Sequence, residues 1–159
     1  TNPAGANVQV VGVFSEQLLV PLAEVLGKLG ARRALVVHGE GNLDELTVTG
    51  RTSVAEFREG KVTAYQVTPE EFGLTRAAIG DLSGGTDAAG SAQMIKDILD
   101  GAPGPRREMV LLNAGAALMA AERAKDIQEG IALAADCIDS GEASHTLQSL
   151  VSYSQSFEH

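Results

Sequence analysis

Cysteine is almost missing from this chain. Cys137 is the single one in 159 residues, so no intramolecular disulfide can form. It lies within Ile131-Ala-Leu-Ala-Ala-Asp-Cys137-Ile138, an apolar helical pattern that suits a small buried side chain better than a nucleophile. With only three scattered histidines beside it, no zinc-ligand spacing exists. Tryptophan is absent and aromatics are 4%, which leaves few platforms for stacking single-stranded nucleic acid. Positive charge is scarce: 12 Lys and Arg stand against 21 Asp and Glu, a net charge of −9. Such a surface repels nucleic acid and anionic membranes at long range. No basic run with interleaved aromatics offsets it, so no nucleic-acid partner and no membrane partner is expected. No apolar run approaches the ~18 residues that span a bilayer. The first residues, Thr1 to Ala6, carry neither the charged nor the apolar region of a signal peptide. A cytoplasmic protein is expected.

What is present suits one globular unit. The length fits a single domain over 1–159, and a chain of this size removes roughly 70% of its unfolded surface from water. Neither a tandem repeat nor an interdomain linker is visible. The organising stretch runs from residue 33 to residue 49. Ala34-Leu-Val-Val37 reads as a buried strand. The chain then passes His38-Gly39-Glu40-Gly41-Asn42 to the adjacent acids Asp44 and Glu45. A β-rich run, Leu46-Thr-Val-Thr49, follows and is expected as a second strand. By itself, an acidic pair at a loop mouth is ordinary solvated surface.

The remaining elements follow from periodicity and punctuation. Residues 8–13 read as a strand. A helix is expected from Ser15, starting or bending at Pro21 and ending at Gly30. Residues 8–37 thus form a strand–helix–strand unit, which favours a parallel pair. Residues 52–58 and 61–67 alternate as strands around a Glu59-Gly60 turn. Thr68-Pro69-Glu70-Glu71 opens a short helix that Gly73 stops. Four helices are expected after a connection over 74–86: at 87–99, at 106–121, from Lys125 or Asp126 to about 140, and at 143–152. The last residues read as a polar, frayed tail. The fold class is α/β, with a mixed, mainly parallel sheet and helices on both faces.

The order of several short motifs carries a resemblance. They are Thr1-Asn-Pro-Ala4, Ala34-Leu-Val-Val-His-Gly39, Leu43-Asp-Glu-Leu46, Thr68-Pro-Glu-Glu-Phe-Gly-Leu74, Asp81-Leu-Ser-Gly-Gly85 and Leu111-Leu-Asn-Ala-Gly-Ala-Ala-Leu118. Glu129-Gly130 and Asp139-Ser-Gly-Glu-Ala143 extend the set. Over nearly its whole length the chain resembles the anthranilate phosphoribosyltransferase family, and within it the C-terminal part of the α/β domain. The resemblance implies an incomplete domain of the nucleoside phosphorylase/phosphoribosyltransferase catalytic type. It also implies a transferase of tryptophan biosynthesis, moving phosphoribosyl from phosphoribosyl pyrophosphate to anthranilate with release of pyrophosphate. The intact enzyme is implied to be a homodimer. The family's Gly-Thr-Gly-Gly-Asp loop, its Lys-His-Gly-Asn segment and its anthranilate-binding arginine are absent from this sequence, so a missing N-terminal portion is expected as a partner. This chain alone is expected to be inactive.

The same resemblance assigns Asp44 and Glu45 to Mg²⁺, the implied cofactor, which carries the diphosphate. That assignment is chemically sound, because Mg²⁺ takes a few carboxylate oxygens together with water and phosphate oxygens. His38 either reaches the site mouth or bonds the loop, and the structural role is favoured. Ser83-Gly84-Gly85 either cradles an anion or simply turns the chain into a helix, the turn being favoured. After these glycines the sequence departs from the family: Thr86-Asp-Ala-Ala-Gly-Ser-Ala92 is built of small residues where acids and an Asn are usual. Asn113 is expected to lock a helix contact, and Asn2-Pro3 to border the anthranilate region. Arg32, Arg33, Arg106 and Arg107 read as solvated or capping groups. Two other readings are a non-catalytic binding module of the same descent and a nucleoside phosphorylase. The motifs at 68–74 and 81–85 suit the latter less well.

Overall fold

The computed structural model describes residues 5–157. Four strands, β1 (Val8–Gly12), β2 (Arg33–Gly39), β3 (Thr52–Arg58) and β4 (Lys61–Val67), lie side by side in that order. Helix α1 (Leu19–Lys28) joins β1 to β2, and these two strands run parallel. A one-turn 3₁₀ helix, Glu16–Leu18, leads into α1. Pro21 therefore falls in the first turn of α1, where a missing N–H costs little.

The sheet is mixed, as expected, but not mainly parallel: β2–β3 and β3–β4 are both antiparallel. The reason is in the connections. Glu59 and Gly60 take φ of 51° and 79°, the two left-handed positions of a tight hairpin, which can only join antiparallel neighbours. The loop between β2 and β3 contains no crossover helix to carry the chain back to a parallel start.

Helices cover both faces, in agreement with the sequence. Leu35 and Val37 of β2 point to one face, where they meet helix α3 (Pro105–Ala120) and helix α4 (Ile127–Asp139) through Leu112, Ala116, Ile127 and Ile131. Val36 points to the other, against Leu19 and Ala23 of α1. A strand covered on both sides must be apolar at every position, which explains the unbroken run 34–37. Helices α3 and α4 cross at Gly115 and Gly130, where a Cβ on Gly115 would sit 2.8 Å from the Ile131 nitrogen.

Helix α2 (Ala88–Leu99) is capped by Asp87, which accepts from the Gly90 N–H at 2.7 Å; Asp126 caps α4 by accepting from Glu129 N–H at 2.8 Å. The short helix at Pro69–Phe72 is a 3₁₀ turn, closed by the Thr68 N–H donating to Glu71 Oε1 at 2.9 Å. Helix α5 (Glu142–Gln155) runs into the tail that reads as frayed. Its serines do not end it, because Ser149 and Ser154 turn their hydroxyls back onto the carbonyls of His145 and Val151. Tyr153 and Phe157 also stack edge to face with centroids 4.9 Å apart. Among the described residues, no helix is long and apolar enough to cross a membrane.

Candidate functional site

Beyond the end of β2 the chain folds back on itself. Gly39 N–H donates to the Leu43 carbonyl at 2.7 Å, and Leu43 N–H donates to the Gly39 carbonyl at 3.1 Å. Gly41 and Asn42 make the reversal with φ of 89° and 63°, a conformation these two residue types adopt at least cost. Asp44 and Glu45 follow, both largely open to solvent, with the Glu45 carboxyl partly covered. They stand at the carboxyl ends of the parallel pair β1–β2, the place where sheets of this kind bind ligands. Their backbone is pressed against the strand ends. A Cβ on Gly12 of β1 would overlap the Asp44 carbonyl, and one on Gly39 of β2 would lie 2.7 Å from the Glu45 oxygen.

Residues 46–49, expected as a strand, form none. Leu46, Thr47 and Val48 are buried, so their backbone groups need partners, and side chains provide several of them. Asn113 of α3 accepts from Leu46 N–H at 3.0 Å and donates to the Leu46 carbonyl at 2.8 Å. Thr47 N–H donates to Thr52 Oγ1, and Thr49 N–H to Thr47 Oγ1, each at 3.0 Å. Ala77 N–H donates to the Val48 carbonyl. These bonds stand in for part of the ladder that a strand would have supplied.

Among the described residues, neither the Asp44 nor the Glu45 side chain has a hydrogen-bond or ion-pair partner. Partial burial, and then the neighbouring charge of Asp44, push the Glu45 carboxyl above its usual range. Two adjacent unpaired carboxylates suit a divalent cation, and hard oxygen donors suit Mg²⁺ in particular. They do not close a coordination shell: no group of three or more His, Cys, Asp or Glu that could hold a metal exists among the described residues. The donor set fits an ion whose remaining ligands are water and phosphate oxygens. Glu45 also borders a groove of about 430 Å³, lined by Leu43, Ile79, Leu82, Met109 and Arg106 among others.

The other candidates are mostly structural. His38 Nδ1 lies 2.8 Å from the Val13 carbonyl, which can only accept, so the ring donates and ties β2 to the end of β1. Gly85 packs against the first turn of α2, where a Cβ would overlap the Ser91 nitrogen. The free N–H of that turn at Gly90 is taken by Asp87, and the Ser83 carbonyl accepts from Arg106 at 2.9 Å. The turn into a helix is thus the role the geometry supports. Arg32 is a solvated ion-pair partner of Glu122, as expected. Arg33 is not solvated: it is 6% exposed, pairs with Glu56 at 2.7 Å and donates to the Met119 carbonyl at 2.6 Å. Arg107 is largely covered and pairs with Asp139 at 2.7 Å. Asn2 and Pro3 lie outside the described residues. Sequence reasoning missed Gly12 and Gly39 as supports of the acidic loop. Their signal was a glycine interrupting an apolar strand at each strand's carboxyl end.

A mixed sheet covered on both faces by helices defines an α/β protein. The chain belongs to the glycosyl transferase family, a/b domain, whose model matches residues 1–144. It is 54% identical over 153 residues to the anthranilate phosphoribosyltransferase of Desulfotalea psychrophila, covering 96% of this chain and 44% of the relative. The enzyme of the same name from Thioalkalivibrio sulfidiphilus is 53% identical over 156 residues, 98% of this chain and 46% of the relative. The crystal structure of anthranilate phosphoribosyltransferase from Thermus thermophilus superposes with a TM-score of 0.87 at 45% identity, covering 96% of this chain and 45% of that one. The Saccharomyces cerevisiae enzyme in complex with PRPP and Mg shares the fold at 23% identity, with a TM-score of 0.76 over 89% of this chain and 41% of that one. The chain thus spans less than half the length of these relatives.

Proposed function

We propose that this chain supplies the metal-binding half of a phosphoribosyl-transfer site, with Asp44 and Glu45 as the magnesium ligands. The intact protein would be an anthranilate phosphoribosyltransferase of tryptophan biosynthesis. It joins phosphoribosyl from phosphoribosyl pyrophosphate to the anthranilate amine and releases pyrophosphate. The observation that carries this proposal is the pair of unpartnered carboxylates, held on a clamped loop at the carboxyl ends of β1 and β2. Its support from relatives is their shared name, and the yeast enzyme's complex with PRPP and Mg.

The two carboxylates hold the cation from the protein side, and the loop keeps them at the strand ends. What magnesium supplies in such a site is neutralisation of the charge that develops on the departing diphosphate. The partner this chain needs is the remainder of its relatives' length, proposed to lie on its N-terminal side and to bring the diphosphate loop and the anthranilate pocket. A single partial catalytic domain over 1–159, a homodimeric intact enzyme and a cytoplasmic location belong to the same proposal.

The test joins this chain to the missing portion, in one polypeptide or as a second chain. Pyrophosphate release should require Mg²⁺, phosphoribosyl pyrophosphate and anthranilate together, and Asp44→Asn with Glu45→Gln should abolish it. Full activity in the double variant would sink the metal assignment. A reconstituted protein that ignores anthranilate and binds another macromolecule would favour a non-catalytic module.

A further inference from the structure

Asn113 sits on the α3 face turned toward the acidic loop, and its carboxamide does something unusual for a helix residue. Leu46, the residue after Glu45, is fully buried, so its N–H and its carbonyl both need partners. In a strand a neighbouring strand would supply them. Here the Asn113 side chain supplies both: Oδ1 accepts from Leu46 N–H at 3.0 Å, and Nδ2 donates to the Leu46 carbonyl at 2.8 Å. The second Nδ2 hydrogen goes to the Met109 carbonyl, one turn back along α3, at 3.0 Å. Three bonds fix the amide plane. Both of its hydrogens are engaged inside the protein, so Asn113 has no donor left for a ligand.

We infer that Asn113 is a positioning residue for Glu45 of the acidic pair, fixing the backbone at Leu46 and thereby the direction in which Glu45 leaves the loop. This inference rests on the proposal that Asp44 and Glu45 hold magnesium. The acids are fixed by backbone on both sides. Gly12 and Gly39 pack against the carbonyls of Asp44 and Glu45, and Asn113 grips the next residue from the opposite layer. No side-chain contact holds the carboxylates themselves among the described residues, so their placement depends on that grip. Few other side chains can replace it. Aspartate keeps the bond from Leu46 N–H but sets a carboxylate oxygen against two carbonyls. Alanine leaves both Leu46 groups unpaired.

The test uses the full-length protein, with this chain joined to the portion its relatives carry. Mn²⁺ affinity is read by electron paramagnetic resonance in the presence of phosphoribosyl pyrophosphate, which needs no turnover. Asn113→Ala, and the isosteric Asn113→Asp should the alanine variant not fold, are expected to weaken Mn²⁺ binding about tenfold, the usual cost of losing a group that orients a metal ligand. The KM for anthranilate should stay unchanged. In a Glu45→Gln background the Asn113 substitution should add nothing further, since its effect passes through Glu45. Asn113 variants that melt earlier but keep the parent Mn²⁺ affinity, while Glu45→Gln weakens it, would overturn the positioning role alone. Unchanged affinity in Glu45→Gln would overturn the metal assignment and the positioning role together.

Discussion

Gly12 and Asp44 are in direct backbone contact: the Cβ that any other residue would place at position 12 overlaps the Asp44 carbonyl. One of the two acids is thus seated on the end of a strand that lies 32 residues earlier in the chain. Gly12→Ala forces either β1 or the acidic loop to move. The expected loss is about 1–3 kcal/mol, the usual cost of overpacking a close contact. Thermal or urea melts of the variant check it. Gly60→Ala is the control, because a Cβ there meets nothing within 4 Å and its strain comes only from the φ of 79°.

Gly130 offers a sharper test, because two effects oppose each other. It lies inside α4, where alanine is preferred over glycine by about 1 kcal/mol. A Cβ at this position overlaps the Gly115 carbonyl of α3. That contact is backbone against backbone, so no side chain can swing away. The clash outweighs the propensity, and Gly130→Ala should destabilise by about 1–3 kcal/mol net. A stabilised variant would show that α3 and α4 are not packed this closely.

The Arg33 network predicts a larger effect. Its guanidinium spans Glu56 and the Met119 carbonyl, and Tyr65 donates its hydroxyl to the same Glu56 at 3.3 Å. Burial and the Glu56 charge push the Tyr65 hydroxyl well above its usual range, so it stays a donor. Arg33→Ala leaves the poorly solvated Glu56 carboxylate without its charge partner, and should cost about 3–5 kcal/mol. Tyr65→Phe removes one bond and should cost about 1 kcal/mol. Denaturant melts of both variants give the comparison, and equal losses would contradict the network as drawn.

These residues also mark where sequence reasoning succeeds and where it stops. Strand β2 was legible because cover on both faces demands an unbroken apolar run, and α2 and α4 were legible as helices starting at Asp87 and at Lys125 or Asp126, the two aspartates proving to be their caps. The acidic pair is visible in the sequence only as a motif, and its role is a proposal. Residues 46–49 were not, because Leu-Thr-Val-Thr alternates equally well in a strand and in an irregular segment bonded by side chains. Deciding between them requires Asn113, which lies 67 residues away from Leu46. Arg33 was misread for the same reason: its neighbours Glu56, Tyr65 and Met119 are adjacent only in the fold. Local signals determine elements, whereas burial of a polar group depends on contacts that periodicity does not encode.

Glu45 yields a prediction in which function and stability pull apart. Burial and the Asp44 charge raise its carboxyl above the ordinary value of 4.5. The folded chain therefore holds this proton more tightly than the unfolded chain does. By linkage, stability falls as pH rises from the unfolded value through the raised folded value, and is level above it. Charged Glu45 is thus a burden at neutral pH in the absence of a cation. Glu45→Gln should melt at a higher temperature than the parent at pH 7 without metal, and the two should converge below pH 4.5. Adding Mg²⁺ and phosphoribosyl pyrophosphate to the full-length protein should reverse the order at pH 7, because bound ligand stabilises only the chain that holds it. A Glu45→Gln variant less stable than the parent without metal, at every pH, would mean that Glu45 supports the fold and that its raised carboxyl has another cause.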